Sequence, residues 1–376
     1  MSRRLARKGS KVSVYRLIRP VLFRTDAERM HDRAIRAAER AGQMPWVCSA
    51  VAAWEMPAQD ERLTTEIGAL RFAHPLGLAA GFDKSGRATP FWAALGFSHV
   101  EIGSVSAEAS TGNPKPRLFR IPDDGAIVVN YGLPNEGCER VAARLEHVHL
   151  GVPLGVNIVN TNRGPQAEPS PDDEVIDDYV RSVRRLESCA DYLVLNLSCP
   201  NTREGRTFCS GTPRLAALLS AVGELHPSRP LFLKVAPFPN PAEVEAFLLV
   251  VEGFPFVSGF SVNLPSGKPA GLKTSPDTLA NMPGAVSGKP AEAAANRTIG
   301  ELFRRMDRRR YRIIGSGGVF TAEDAYRKIR CGASLVQLLT ALVYEGPGVV
   351  SSICSGLAAL LERDGYRNVM EAVGAN

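Results

Sequence analysis

Short apolar runs separated by longer amphipathic segments dominate the chain from about residue 66 onward. Strands that alternate with helices in this way are typical of βα units around a parallel sheet. Eight runs fit strands, at 76–82, 97–105, 154–159, 192–198, 230–236, 256–263, 311–318 and 335–341. Eight βα units predict an α/β fold, the (β/α)8 TIM barrel. A doubly wound open sheet is the alternative, although no GxGxxG motif follows its first strand.

The pattern before residue 66 is helical. Thr25 and Glu28 form a capping-box pair ahead of a helical run that Gly42 ends. We therefore divide the chain into a basic segment, 1–24, an N-terminal helical cap, 25–65, and a barrel, 66–376. Segment 1–24 mixes apolar and basic residues, which favours contact with an anionic membrane surface. A solvated cap with a basic tail is an equally good interpretation.

Charge and composition narrow the class of protein. The net charge is +6, and eight basic residues precede the first acidic residue, Asp26. Because those eight exceed the whole net charge, the barrel has no basic face for nucleic acid. No apolar run approaches the roughly 18 residues of a membrane span. The cysteines are scattered without CxxC pairs and the histidines show no HExxH spacing, so we expect no metal site. The scattered cysteines also predict a cytoplasmic location, with peripheral contact to the inner face of the cell membrane as an option.

Candidate chemistry lies where the barrel strands end. Long inserts at 106–135, 200–212 and 264–291 follow the second, fourth and sixth predicted strands. In a barrel they share the carboxyl-terminal face, where active sites are built. Polar residues end several strands: Lys84, Ser104, Asn157, Asn196, Ser198, Cys199, Lys234 and Asn263. Their repetition at one level of the barrel favours a ligand site over separate structural roles.

Three features at the predicted strand ends have a specific chemical interpretation. Lys234 lies among apolar residues, and a buried ammonium needs an anionic partner. Gly317 and Gly318 follow the seventh strand, where such barrels bind phosphate, although a plain tight turn also explains them. Cys199 is followed by a polar loop, so thiol acid–base chemistry competes with the usual role of cysteine as a small buried apolar residue.

Seven motifs, in order along the chain, together resemble dihydroorotate dehydrogenases. They are GLAAGFDKSG, EIGSVSAEASTGNPKPRLFRIP, LNLSCPNT, LKVAP, SGKP, IIGSGGV and GASLVQLLTAL. The N-terminal PVLFRTDAERMHDRA resembles the quinone-linked, membrane-associated class 2 enzymes. The resemblance implies an FMN-containing barrel with a helical cap through which a quinone reaches the flavin.

The resemblance also assigns roles by position. It implies FMN contacts at Ala79, Ala80, Gly81, Lys84, Ser104, Asn157, Lys234, Gly288, Gly317, Gly318 and Thr340. It implies substrate contacts at Lys84, Asn196, Asn201 and Asn263. Cys199 is the implied catalytic base, and Lys234 would offset negative charge on the reduced flavin. His31 and Arg120 match positions that line the quinone tunnel.

Several positions depart from the class 2 pattern. Class 2 enzymes have serine at the position of Cys199, although a thiol, with a pKa of about 8.5 in solution, is the more accessible base. Val129, Leu133, Pro134 and Leu264 occupy substrate-pocket positions where polar or aromatic residues are expected, and Leu339 replaces a tyrosine. Each buried polar group of dihydroorotate left without a partner would cost about 1–3 kcal/mol.

These departures lead to three hypotheses for function. The first is an FMN-dependent oxidoreductase that interconverts CH–CH and C=C next to a carbonyl, on a less polar substrate than dihydroorotate. The second is the quinone-dependent dihydroorotate dehydrogenase of pyrimidine biosynthesis. The third is a catalytically inactive flavin-binding protein. The retained polar residues argue against the third.

Overall fold

A computed structural model describes residues 14–164, 166–199 and 212–376. Its strands are β1 Thr65–Ile67, β2 Leu70–Phe72, β3 Leu76–Leu78, β4 Val100–Val105, β5 Leu118–Ile121, β6 Ala126–Val129, β7 Leu154–Ile158, β8 Tyr192–Asn196, β9 Leu231–Val235, β10 Val257–Val262, β11 Ala285–Gly288, β12 Arg312–Gly315 and β13 Leu335–Leu338. Its helices are α1 Val14–Leu22, α2 Ala27–Gly42, α3 Pro45–Glu55, α4 Thr89–Ala94, α5 Cys138–Leu145, α6 Asp172–Leu186, α7 Thr212–Gly223, α8 Pro241–Glu252, α9 Pro276–Ala280, α10 Glu292–Arg305, α11 Ala322–Arg330, α12 Thr340–Glu345 and α13 Val349–Asp364.

Eight parallel strands close into a barrel, in the order β3, β4, β7, β8, β9, β10, β12 and β13 around the ring. Each lies within one of the eight predicted apolar runs, so the predicted (β/α)8 barrel is confirmed. Most of these strands are buried along their whole length, because helices cover their outer face and side chains fill the interior.

The two ends of the barrel differ. At the amino-terminal end, the β1–β2 hairpin places Ile67 and Phe72 against Tyr192 and Phe232 in an apolar plug. At the carboxyl-terminal end, β6 from insert 106–135 pairs with β5 of the same insert on one side and with β11 from insert 264–291 on the other, in an antiparallel sheet. The two inserts therefore form one wall above the barrel mouth.

Helices α1, α2 and α3 lie at this same end. Arg16 of α1 forms an ion pair with Glu345 at 2.6 Å, and Arg19 donates to the carbonyl oxygen of Tyr344 at 2.8 Å. These two arginines thus bind α12, and the predicted contact of the basic segment with an anionic membrane surface stays a prediction. The apolar side of the helix points outward, with Leu17 69% and Val21 63% exposed.

The predicted contact with a membrane falls partly on residues 1–13, which lie outside the described ranges. Within residues 14–164, 166–199 and 212–376, no helix combines the length and apolar character needed to cross a membrane. Trp46 and Trp54 of α3 are 72% and 68% exposed, and they add to the outward apolar surface of the N-terminal helices. The division at residues 24 and 65 stays a prediction.

Candidate active site

A cavity of about 600 Å³ lies between the N-terminal helices and the carboxyl-terminal end of the barrel. Its outer part is lined by apolar residues of α2 and α4, including Met30, Ala34 and Phe91. Its inner part reaches polar strand ends such as Asn196 and Lys234. One cavity therefore joins an apolar entrance to a polar floor.

Almost all of the site residues inferred from the sequence meet in this cavity. Those that line it are His31, Ala79, Ala80, Gly81, Lys84, Ser104, Arg120, Val129, Leu133, Asn196, Cys199, Lys234, Asn263, Leu264, Gly288, Gly317, Gly318 and Thr340. Asn201 lies outside the described residues. Asn157 is the exception among the described ones, because it is fully buried beneath the floor.

A buried carboxylate supports the floor. Glu101 on β4 is fully buried, and its Oε1 lies 3.4 Å from the ammonium of Lys234 on β9. The same carboxylate accepts hydrogen bonds from Asn157 at 2.9 Å and from Gln337 at 2.7 Å. Glu101 is the anionic partner that the buried lysine requires. The sequence reasoning missed it, although a lone charge inside an apolar strand was its signal.

Asn157 belongs to a chain of hydrogen bonds that orders the polar floor. Ser104 donates to Asn157 Oδ1 at 2.5 Å, and Asn196 donates to Ser104 Oγ at 3.0 Å. Only Ser104 and Asn196 of these three line the cavity. Asn157 lies behind Ser104 and orients it, and the expected contact of Asn157 with FMN stays a prediction.

Cys199 follows β8 and is buried at the cavity wall, with only 5% exposure. The backbone around it is fixed, because Ser198 donates to the carbonyl oxygen of Lys234 at 3.1 Å. Asn263 donates in turn to the carbonyl oxygen of Ser198 at 3.2 Å. The thiol thus occupies a constrained position between the ends of β8, β9 and β10.

The wall above the floor is apolar. Val129 ends β6, and Leu133, Pro134 and Leu264 complete this side of the cavity. Leu133 has a left-handed backbone, with φ of 62°. Asn135 donates to the carbonyl oxygen of Leu133 at 3.0 Å, which helps to hold that unusual conformation.

Lys84 stands between floor and wall. Its ammonium lies 3.3 Å from His31 Nε2 and 3.9 Å from the ring centre of Tyr131. Burial lowers the pKa of Lys84 to about 8, although nearby Asp32 and Asp83 partly oppose the shift. Burial, together with the charge of Lys84, lowers the pKa of His31 well below its ordinary value. The cluster therefore carries its positive charge on Lys84 and a neutral imidazole on His31.

Arg120 lines the outer part of the cavity and is held by the N-terminal segment. Its guanidinium donates to the carbonyl oxygens of Leu22 and Thr25 and lies 4.5 Å from the ring centre of Phe23. Burial lowers the pKa of Arg120. His31 and Arg120 thus share one cavity with the barrel residues, and their role in a quinone tunnel stays a prediction.

The loop after β12 suits a phosphate group. Gly317 and Gly318 have φ of 87° and 79°, a region that side chains rarely adopt. Neither backbone N–H donates a hydrogen bond to any residue within the described ranges. Unpaired N–H groups at a cavity wall are the donors that a phosphate requires. No group of three or more His, Cys, Asp or Glu that could hold a metal occurs in those ranges.

Comparison with known proteins defines the class: an oxidoreductase that acts on CH–CH bonds. The family model described as "Dihydroorotate dehydrogenase" matches residues 62–361. The chain belongs to the dihydroorotate dehydrogenase family, whose members are flavin-dependent.

Relatives and solved structures agree over nearly the whole chain. "Dihydroorotate dehydrogenase (quinone)" of Myxococcus xanthus is 38% identical over 96% of this chain and 98% of its own length. The protein of the same name from Halobacterium salinarum is 39% identical over 96% of this chain and all of its own. The crystal structure of DHODH from Eimeria tenella in complex with ferulenol has a TM-score of 0.82 and 30% identity, and covers 95% of this chain and 98% of that one.

Proposed function

We propose that this protein oxidises dihydroorotate with FMN as cofactor and a quinone as electron acceptor. The observation that carries the proposal is the single cavity, which joins a polar floor at the barrel mouth to an apolar entrance beneath the N-terminal helices. A polar ring and a lipophilic quinone need such different surroundings, yet both must reach the same cofactor. The names of the relatives support the same pairing of substrate and acceptor.

Dihydroorotate replaces the less polar substrate that the sequence suggested. The apolar residues Val129, Leu133 and Leu264 do line the cavity, but they form one wall of it. Asn196, Asn263 and Lys84 face the same space and offer amide and ammonium groups to carbonyls and a carboxylate. Nothing among the named relatives supports a different substrate, nor an inactive flavin-binding protein.

FMN fits the residues that line the floor. Gly317 and Gly318 offer a phosphate N–H groups that have no partner among the described residues, while Lys234 and Ser104 offer polar atoms to a ring system. When bound, FMN supplies hydride acceptance from one substrate and electron delivery to another. The ion pair with Glu101 fixes the Lys234 ammonium within the floor, where it stabilises negative charge.

Cys199 is the proposed general base. Its buried position limits access of water, and the hydrogen bonds around Ser198 fix its backbone. A base in such a position removes a proton from the carbon next to a substrate carbonyl, and the carboxamide groups of Asn196 and Asn263 orient the ring. Lys84 supplies the positive charge that binds the substrate carboxylate.

The outward apolar surface of α1 and α3 supports peripheral contact with a membrane. Leu17, Val21, Trp46 and Trp54 are more than 60% exposed, and tryptophan favours the membrane interface. Such contact would place the cavity entrance near a lipid-dissolved quinone. Because Arg16 and Arg19 bind α12, apolar insertion contributes more than charge in the described part of this segment.

Anaerobic spectroscopy tests the proposed function. The purified protein is expected to show flavin absorbance, to lose it on addition of dihydroorotate, and to regain it on addition of a soluble ubiquinone analogue. Flavin that stays oxidised with dihydroorotate would refute the substrate. Flavin that is reduced but is reoxidised by fumarate and not by the quinone would refute the acceptor.

A further inference from the structure

Arg117 is buried just before β5 and lies outside the cavity wall. Its guanidinium forms an ion pair with Glu28 of α2 at 2.8 Å, and both side chains are only 8% exposed. It also donates to the carbonyl oxygens of Thr111 and Asn113, at 2.6 and 2.8 Å, and of Tyr131 at 3.4 Å. One side chain therefore joins an N-terminal helix to two loops of the barrel.

The loop that contains Tyr131 depends on this junction. Segment 129–134 carries Val129, Leu133 and Pro134 of the apolar wall, and Gly132 accepts a hydrogen bond from Asn162 at 2.7 Å. At Gly112 the backbone passes so close that a Cβ would lie 2.2 Å from the Tyr131 oxygen and 2.8 Å from the Arg117 guanidinium. The wall is thus built around the Arg117 side chain.

Helix α2 reaches the same loop by a second route. His31, one turn after Glu28, lies 3.3 Å from the ammonium of Lys84, which in turn faces the Tyr131 ring. The Arg117 guanidinium lies 5.4 Å from the same ring. Hydrogen bonds from Arg117 and Lys115 lower the pKa of Glu28 despite its burial, so the carboxylate stays charged.

We propose that Arg117 and Glu28 are positioning residues, which fix the substrate-facing wall at 129–134 to helix α2 of the quinone-side cap. This proposal rests on the function proposed above. Arg117 touches neither substrate nor cofactor; it acts through Tyr131 and Leu133. Loss of Glu28 leaves the buried Arg117 guanidinium without its carboxylate, and loss of Arg117 leaves Glu28 paired with the more exposed Lys115 at 3.2 Å. In either case the wall shifts while the cavity floor remains. The cap then contributes to substrate binding as well as to quinone entry.

The variant Glu28→Gln tests the proposal, with Glu39→Gln as its control. Glu39 also lies on α2 and also pairs with a barrel arginine, Arg87 at 2.5 Å, but away from residues 129–134. A small displacement of a binding wall can cost up to ~10²-fold. We expect Glu28→Gln to raise the KM for dihydroorotate at least fivefold and to leave the KM for the quinone within twofold. Glu39→Gln should leave both near wild type.

Arg117→Lys separates positioning from electrostatics, since Glu28 also acts on the charge of Lys84. Lysine keeps the charge but cannot bind the carboxylate and three carbonyls together. We expect Arg117→Lys to raise the KM for dihydroorotate at least as much as Glu28→Gln does. The double variant Glu28→Gln/Arg117→Lys should raise this KM no further than Arg117→Lys alone. A normal KM in Arg117→Lys, or additive effects in the double variant, would overturn the proposal.

Amide hydrogen exchange of residues 129–135 gives a readout that does not depend on turnover. Exchange there should accelerate in Glu28→Gln and Arg117→Lys but not in Glu39→Gln, whereas exchange in β8 and β9 should stay unchanged. If the wild type fails to oxidise dihydroorotate, the proposed function is wrong. The positioning role of Arg117 and Glu28 is then tested by amide hydrogen exchange alone. Unchanged exchange at 129–135 would refute it.

Discussion

The floor and the apolar wall of the cavity are built on opposite principles. In the floor, polar side chains satisfy one another: Glu101 binds Lys234, Asn157 and Gln337 at once. In the wall, Val129, Leu133 and Leu264 present no hydrogen-bonding side chain, and the loop is held from behind through its backbone. A change at Glu101 therefore affects three polar partners at once, whereas the wall can be altered without leaving polar side chains unpaired.

The largest expected effect concerns the base at the edge of the floor. Cys199→Ala should retain flavin but slow its reduction by dihydroorotate by about 10²–10⁴-fold, because general-base catalysis contributes that much. Cys199→Ser should keep part of the rate. The measurement is anaerobic stopped-flow reduction, with Cys138→Ala, a buried cysteine in α5, as the control. Reduction at the wild-type rate in Cys199→Ala would return the thiol to a packing role.

The second prediction concerns the buried ion pair of the floor. Glu101→Leu leaves the Lys234 ammonium buried without its counter-ion, which should lower the free energy of unfolding by about 3–5 kcal/mol. Glu101→Leu/Lys234→Met removes both charges and should recover a large part of that loss. Denaturant unfolding of the flavin-loaded proteins measures both values. Equal stability of the single and double variants would mean that the Lys234 ammonium does not need Glu101 as its counter-ion.

The sequence predicted the barrel and most of the floor for the same reason. Buried parallel strands are continuous apolar runs, and residues at their carboxyl ends must meet, so Cys199 and Lys234 could be placed without coordinates. The pairing of residues across the barrel could not be predicted, because partners such as Glu101 and Lys234 are 133 residues apart in the chain. The role of Arg117 was missed for the same reason, because its partner Glu28 lies far away in the sequence.

Local patterns also leave open which way a side chain points. The basic residues of α1 suggested contact with anionic lipid, and nothing in the sequence indicated that Tyr15, Arg16 and Arg19 form hydrogen bonds to α12. An amphipathic helix has two faces, and its sequence alone does not decide which of them packs against the protein. Likewise, a buried asparagine such as Asn157 has the same sequence signal whether it contacts a ligand or orients a neighbour.

The third prediction concerns the apolar wall of the cavity. Val129→Asn combined with Leu264→Thr adds polar groups beside the substrate, and each new hydrogen bond contributes about 0.5–1.5 kcal/mol. The kcat/KM for dihydroorotate should rise by up to ~10-fold, mainly through a lower KM. Leu249→Thr, at an exposed position on α8, is the control. A lower kcat/KM in the double variant would show that the apolar wall already complements the substrate.

The smallest effect lies where floor and wall meet, at Lys84. Its pKa of about 8 means that the ammonium is present below pH 8 and is lost above it. Because the charged form binds the substrate carboxylate, kcat/KM should fall up to ~10-fold per pH unit above about pH 8. The neutral His31 contributes nothing to this decline. Lys84→Arg should remove the decline, since arginine keeps its charge.

A second lysine makes this assignment testable. Lys328 of α11 is also buried, its ammonium donates to Asn296 of α10, and burial lowers its pKa to about 8 as well. It lies outside the cavity, so Lys328→Gln should leave the pH profile of kcat/KM unchanged even if it lowers stability. A decline that persists in Lys84→Arg but disappears in Lys328→Gln would mean that alkaline inactivation is a property of the helical layer around the barrel, and Lys84 would then lose its role in binding the substrate.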